Sequence, residues 1–268
     1  MLTLDQVFEF RGQNVAWGTI GEGDPIILVH GFPWSAQAWR NTAPWIAKQR
    51  KVYFFDMVGC GQSAKFDGQD VRESVQSDLL AALIKHWELE WPTVVGHDFG
   101  GLASLRCHFV NGIAYGGLVL TNAVAVLPSG SPFYVHVREH EQAFAGLPPY
   151  AHEALFEAYT QRAALKPLSA EAKSVYAEPW MGEAGQPAFY RQIAQSDIGS
   201  IEEVEKKYRP LDCPVHLVWG EKDTFIPIER GKQLAERLSA ESFTPVSGAA
   251  HIVQEDAPEA IIAALMSL

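Results

Sequence analysis

Short runs of β-branched and aromatic residues recur along this chain, each closed by turn residues and separated from the next by a longer amphipathic stretch. Strands that read as unbroken apolar runs are buried on both faces, and the stretches between them supply the helices that cover those faces. The runs are PIILVHG (25–31), KVYFFDM (51–57), PTVVGHD (92–98), GGLVLTNAV (116–124) and PVHLVWGEKD (214–223). Helical spacing occupies 35–49, 71–87, 100–113 and 228–238. Asp256-Ala-Pro-Glu opens a final helix with proline near its first turn. Ahead of these, VFEFRG and NVAWGTIG alternate apolar and polar residues, as an antiparallel entry hairpin at the sheet edge would. The expected fold class is α/β, a mostly parallel sheet with helices on both faces.

Residues 125–210 break the rhythm. They hold no buried-strand run, and their helical segments carry Pro128, Pro132, Pro148, Pro149, Pro167, Pro179 and Pro187. They read as a helical cap inserted into a core formed by 1–124 and 211–268. A hydrophobic content of 47% with 20% charged residues is that of a soluble globular protein, not of a disordered or fibrous chain. The net charge of −11, spread along the chain, argues against a basic face for phosphate, so nucleic acid is not an expected partner. Cys60, Cys107 and Cys213 are odd in number and lack CxxC spacing, which fits reduced thiols in a cytosolic protein. The amino terminus lacks a basic segment followed by an apolar one, and no apolar run is long enough to span a bilayer. The expectation is a cytoplasmic protein without a membrane partner.

Chemistry concentrates at Gly96-His97-Asp98-Phe99-Gly100-Gly101, between the strand PTVV and the helix GLASLRCHFV. Glycines two before and two after a central residue permit a strained strand-to-helix turn. Such a turn lifts the central side chain above the strand tips and leaves N–H groups where negative charge can sit. The usual serine is here Asp98. An aspartate at a turn can be a simple cap, but the flanking glycines and the strand–helix context favour a nucleophile. Asp223 closes VHLVWGEKD and His251 sits in SGAAHIVQEDAP before the last helix. The order nucleophile, acid, histidine is the one this turn leads one to expect. Asn122, at the end of the preceding strand, offers no carboxylate to compete with Asp223.

With His30-Gly31-Phe32-Pro33, Asp56 through Gly61 with Ser63, Gly96 through Gly101, Gly220 through Pro227 and Gly248 to Asp256, nearly the whole chain resembles the α/β-hydrolases with an aspartate nucleophile. These are the epoxide hydrolases, haloalkane dehalogenases and haloacetate dehalogenases. The resemblance implies that Asp98 attacks a saturated carbon to form an alkyl-enzyme ester. Water activated by His251 and Asp223 then hydrolyses the ester, with the backbone N–H groups of Phe32 and Phe99 holding the oxyanion. No metal or organic cofactor is implied.

How the leaving atom is stabilised separates the branches. An alkoxide needs a proton donor, whereas a halide needs N–H groups gathered around it. The resemblance to haloalkane dehalogenases implies tryptophan after the nucleophile, and the resemblance to haloacetate dehalogenases implies arginines one and four residues after it. This chain has Phe99 and Leu102 there. Epoxide hydrolases share the HGFP segment and use two cap tyrosines as donors, although they too usually carry tryptophan where Phe99 stands. Six of the eight tyrosines fall within 125–210. Pro132-Phe133-Tyr134-Val135-His136 and Pro187-Ala188-Phe189-Tyr190-Arg191 resemble the donor segments, which implies Tyr134 and Tyr190, with His136 an alternative to Tyr134 and Arg138 able to meet a carboxylate. Trp34, Trp39, Phe32, Phe99, Phe133 and Phe189 are expected to line an apolar pocket for a small hydrophobic substrate. The expected reaction is epoxide hydrolysis to a vicinal diol, with dehalogenation through the same ester, or ligand binding without turnover, as alternatives.

Overall fold

The computed structural model describes residues 1–268. Eight strands form one sheet in the order β1-β2-β4-β3-β5-β6-β7-β8. They are β1 (Gln6–Phe10), β2 (Gln13–Ile20), β3 (Pro25–Val29), β4 (Lys51–Phe55), β5 (Thr93–His97), β6 (Gly117–Thr121), β7 (Val215–Gly220) and β8 (Ser242–Val246). β1 and β2 form the antiparallel hairpin at one edge, β2 pairs antiparallel with β4, and all other pairings are parallel. This is an α/β-hydrolase fold with helical cap insertions. Parallel strands must be joined by crossovers, and the helices that provide them cover both faces, so β6 and β7 are buried along their full length.

Two apolar cores result. On one face Val15, Ile27, Phe55, Leu79, Leu83, Leu102, Leu105 and Leu217 pack beneath helices Glu73–His86 and Phe99–Phe109. On the other, Trp39, Phe54, Val95, Val119, Val253 and Ile261 pack beneath helix Pro258–Met266.

Two elements differ from the sequence reading. The helical stretch expected over 35–49 is a short 3-10 turn, Ala36–Trp39, followed by a single turn of helix, Ala43–Ile46, which Pro44 enters at its start. β8 lies at the far sheet edge with no residue fully buried and Pro245 within it, so it presents no apolar run to read.

Between β6 and β7 the chain is helical: Pro132–Glu139, Glu141–Ala145, Pro149–Gln161, Ala170–Ala177, Gly182–Ala194 and Ile198–Glu205. These helices are fastened to the sheet layer by polar contacts. Trp180 Nε1 donates to the Pro33 carbonyl at 2.6 Å. Arg40 forms a buried, two-pronged pair with Glu255, and the Tyr176 hydroxyl joins both. Asp256 accepts from the backbone N–H groups of Leu165 and Lys166 in the cap and of Ala250 beside His251. The Ile252 N–H donates to the Ala163 carbonyl at 2.9 Å. No helix is long and apolar enough to cross a membrane.

Candidate active site

The tip of β5 turns directly into helix Phe99–Phe109, with Asp98 between them at φ 55°, ψ −122°. A non-glycine residue rarely adopts this conformation, and here close packing enforces it. A Cβ on Gly100 would lie 2.3 Å from the carbonyl oxygens of Val29 and His30, and one on Gly96 would lie 2.8 Å from the Gly100 carbonyl oxygen. Only glycine lets strand, turn and helix approach so closely. The Asp98 carbonyl accepts from Gly101, Leu102 and Val124, which holds the turn rigid.

The carboxylate of Asp98 is buried and differentiated. Its Oδ1 accepts from the Phe32 N–H at 3.0 Å, and its Oδ2 lies 3.3 Å from His251 Nε2. The Phe99 N–H belongs to the first turn of its helix, where no intrahelical acceptor exists. On the other side of the imidazole, His251 Nδ1 donates to Asp223 Oδ2 at 2.9 Å. Asp223 Oδ1 accepts from the Phe225 and Ile226 N–H groups at 2.7 and 2.9 Å. Asn122 Nδ2 donates to Asp223 Oδ2, while its Oδ1 accepts from the Gly220 N–H at 3.1 Å. Burial alone would lower the His251 pKa, but the Asp223 and Asp98 carboxylates overcome it and raise it to about 10. The free site therefore holds an imidazolium between two carboxylates.

Above Asp98 a cavity of about 390 Å³ opens between sheet and cap. Its walls include Phe99, Val124, Phe133, Phe144, Leu155 and Phe225, with Tyr134, Tyr159, Arg138 and Arg162 among its polar members from the cap. The Tyr134 ring stands between Phe99 and Phe32, and its hydroxyl interacts with that of Tyr159. The Tyr159 ring stacks on Phe225, which in turn packs on His251. Burial, followed by each other's proximity for Tyr134 and by the Asp98 charge for both, holds the two phenols above their usual pKa. Both remain donors at neutral pH.

The family described as "Alpha/beta hydrolase family" matches residues 26–264. The chain belongs to that family. It is similar to an alpha/beta hydrolase fold protein from Burkholderia ambifaria, at 50% identity with a TM-score of 0.98, covering 100% of this chain and 99% of that one. It is 28% identical to a haloalkane dehalogenase of Sphingobium indicum over 96% of this chain and 92% of that protein. It is also 37% identical to a soluble epoxide hydrolase of Corynebacterium sp. over 34% of this chain and 32% of that protein.

In this family member the residues expected at the site are only partly brought together. Asp98, Asp223, His251 and the Phe32 N–H converge, and Phe99, Phe133 and Tyr134 line the cavity. Tyr190 does not: its hydroxyl is spent on His152 Nδ1 at 2.9 Å, because His152 Nε2 donates to the Trp180 carbonyl and leaves Nδ1 an acceptor. Phe189 is fully buried and supports Phe32 from behind. Trp34 packs on Tyr176, and Trp39 belongs to the core on the opposite face of the sheet. His136 is exposed, turned toward His140 and Phe144. Tyr159 is not singled out by the sequence, and Asn122 is read there only as lacking a carboxylate, not as the donor to Asp223. Tyr159 follows Tyr134 as the second phenol of the cavity, and Asn122 carries no charge to mark it.

Proposed function

We propose that the protein hydrolyses an epoxide to a vicinal diol through an alkyl ester on Asp98. The observation that carries this reading is the pair of protonated phenols, Tyr134 and Tyr159, on the same cavity wall as Asp98. Oδ1 is engaged by the Phe32 N–H, which leaves Oδ2 to attack the epoxide carbon. As that bond forms, the ring C–O bond breaks and a tyrosine O–H protonates the departing oxygen. Ester formation removes one of the two negative charges flanking His251. The imidazolium pKa then falls, and its proton passes to the phenolate and restores the phenol. Neutral His251 next deprotonates a water that attacks Asp98 Cγ, with negative charge developing on the oxygen that faces the Phe32 and Phe99 N–H groups. Collapse of this intermediate breaks the Cγ–O bond and releases the second hydroxyl with a proton from His251; the proton left on the new Asp98 oxygen then passes to His251 and regenerates the carboxylate–imidazolium pair. Asp223, held by Asn122 and two backbone N–H groups, keeps the imidazole oriented throughout.

Dehalogenation through the same ester is the second reading, favoured by the likeness to a haloalkane dehalogenase over 96% of the chain. A halide calls for N–H donors at the leaving position. Phe32 and Phe99 have none in their side chains, and the indoles of Trp34 and Trp39 are fully buried outside the cavity.

The decisive experiment offers styrene-type and aliphatic epoxides, haloalkanes and haloacetates in parallel. Diol formation by the native protein, with an adduct of epoxide mass accumulating on Asp98 in His251→Gln, is the expected result. Halide release without diol would transfer the assignment to the second reading, and no adduct from either class would leave a binding protein.

A further inference from the structure

Of the eleven arginines, nine donate a hydrogen bond within the chain. The two that donate none, Arg138 and Arg162, are the two cations lining the cavity above Asp98. Asp98 is the only acidic residue on that wall, and its charge is already balanced by His251. Both are exposed residues of the cavity lining, and neither is paired with a carboxylate in a chain of net charge −11. Arg162 is also held in place. Its guanidinium lies over the Phe225 ring, 5.9 Å from the centroid, and that ring also packs 5.1 Å from the His251 imidazole. The cation and the imidazole thus share one aromatic neighbour, and the Arg162 charge reaches the Tyr159 hydroxyl.

We propose that the substrate carries a carboxylate, which Arg138 and Arg162 hold while Asp98 faces its electrophilic carbon. This rests on the proposed reaction and names its substrate class: an epoxide with an apolar body and a carboxylate roughly an aromatic ring's width from the oxirane. A planar guanidinium accepts a carboxylate in two parallel hydrogen bonds, and the aromatic walls take up the body between the two ends. The position differs from that of arginines directly after the nucleophile, which this chain lacks.

Binding to Asp98→Asn, which forms no ester, tests the inference apart from the reaction. Phenylacetate and 3-phenylpropanoate are compared with their amides by calorimetry. The carboxylates should bind about tenfold more tightly, the ratio for one charge-assisted hydrogen-bonded contact. This preference should shrink at about 1 M salt and collapse toward unity in Arg138→Gln/Arg162→Gln. Equal affinity of acid and amide would overturn the inference, as would a preference that survives the double substitution. Failure of every epoxide to yield diol would instead sink the reaction and leave this comparison standing.

Discussion

The Asp98 side chain occupies the space that a Cβ on Gly31 would fill: such an atom would lie 2.4 Å from both Asp98 Cβ and Oδ1. The loop after β3 thus passes directly beneath the carboxylate and delivers the Phe32 N–H to it. Gly31→Ala must push either the loop or the carboxylate aside. Overpacking of this kind costs about 1–3 kcal/mol, so a lower melting temperature should accompany a much larger fall in turnover. Turnover near the wild-type level would mean that the Phe32 contact is dispensable.

Asn122→Ala removes the amide that donates to Asp223 Oδ2. A hydrogen bond to a charged group contributes about 1.5–3 kcal/mol, so kcat should drop about tenfold to a hundredfold, with KM little affected. Asn122→Asp should be worse, since a second carboxylate would face Asp223. Steady-state kinetics on both variants check the order.

Tyr159→Phe and Tyr134→Phe should each slow ester formation by about a hundredfold, the usual scale for a lost general acid. Tyr190→Phe should instead affect stability, through the unpaired His152 nitrogen it leaves. Single-turnover adduct formation separates the two outcomes, and a loss confined to Tyr190→Phe would restore that tyrosine as donor.

The raised His251 pKa has a signed consequence. Folding favours the imidazolium, so its contribution to stability is complete below the ordinary value of 6.5 and is lost as pH rises through about 10. Thermal midpoints of the native protein and His251→Asn, followed over that interval, should converge toward alkaline pH. The hydrolysis step should show a lower apparent pKa than the free protein, because esterified Asp98 carries no charge.

Glu255→Gln leaves Arg40 as a buried cation with a weaker partner. Breaking such a pair costs about 3–5 kcal/mol. The cap should become more open to proteolysis, and exchange of amide hydrogens at 163–180 should accelerate.

Sequence was most informative where burial is two-sided. The runs of β3 to β7 are apolar because helices cover both faces, and the elbow could be found because glycine is the one residue that fits between His30 and the helix after Asp98. Asp223 and His251 followed from their places at strand ends. The cap was harder to read. Its short helices cross at angles that sequence period does not encode, so the side of Pro149–Gln161 that presents Tyr159 to the cavity emerges only from packing. Likeness to a donor segment pointed to Tyr190, yet His152, a distant residue, diverts its hydroxyl. Asn122 reads in sequence only as a missing carboxylate, because its contact is to hold a neighbour, which leaves no mark in composition.

Asp256 grips the cap at Leu165 and Lys166 and the neighbour of His251 at Ala250 with one carboxylate. The roof over the cavity and His251 beneath it therefore share an anchor. Any swing of the roof wide enough to admit a bulky guest would tug on the imidazole, so access and reactivity are mechanically geared to each other.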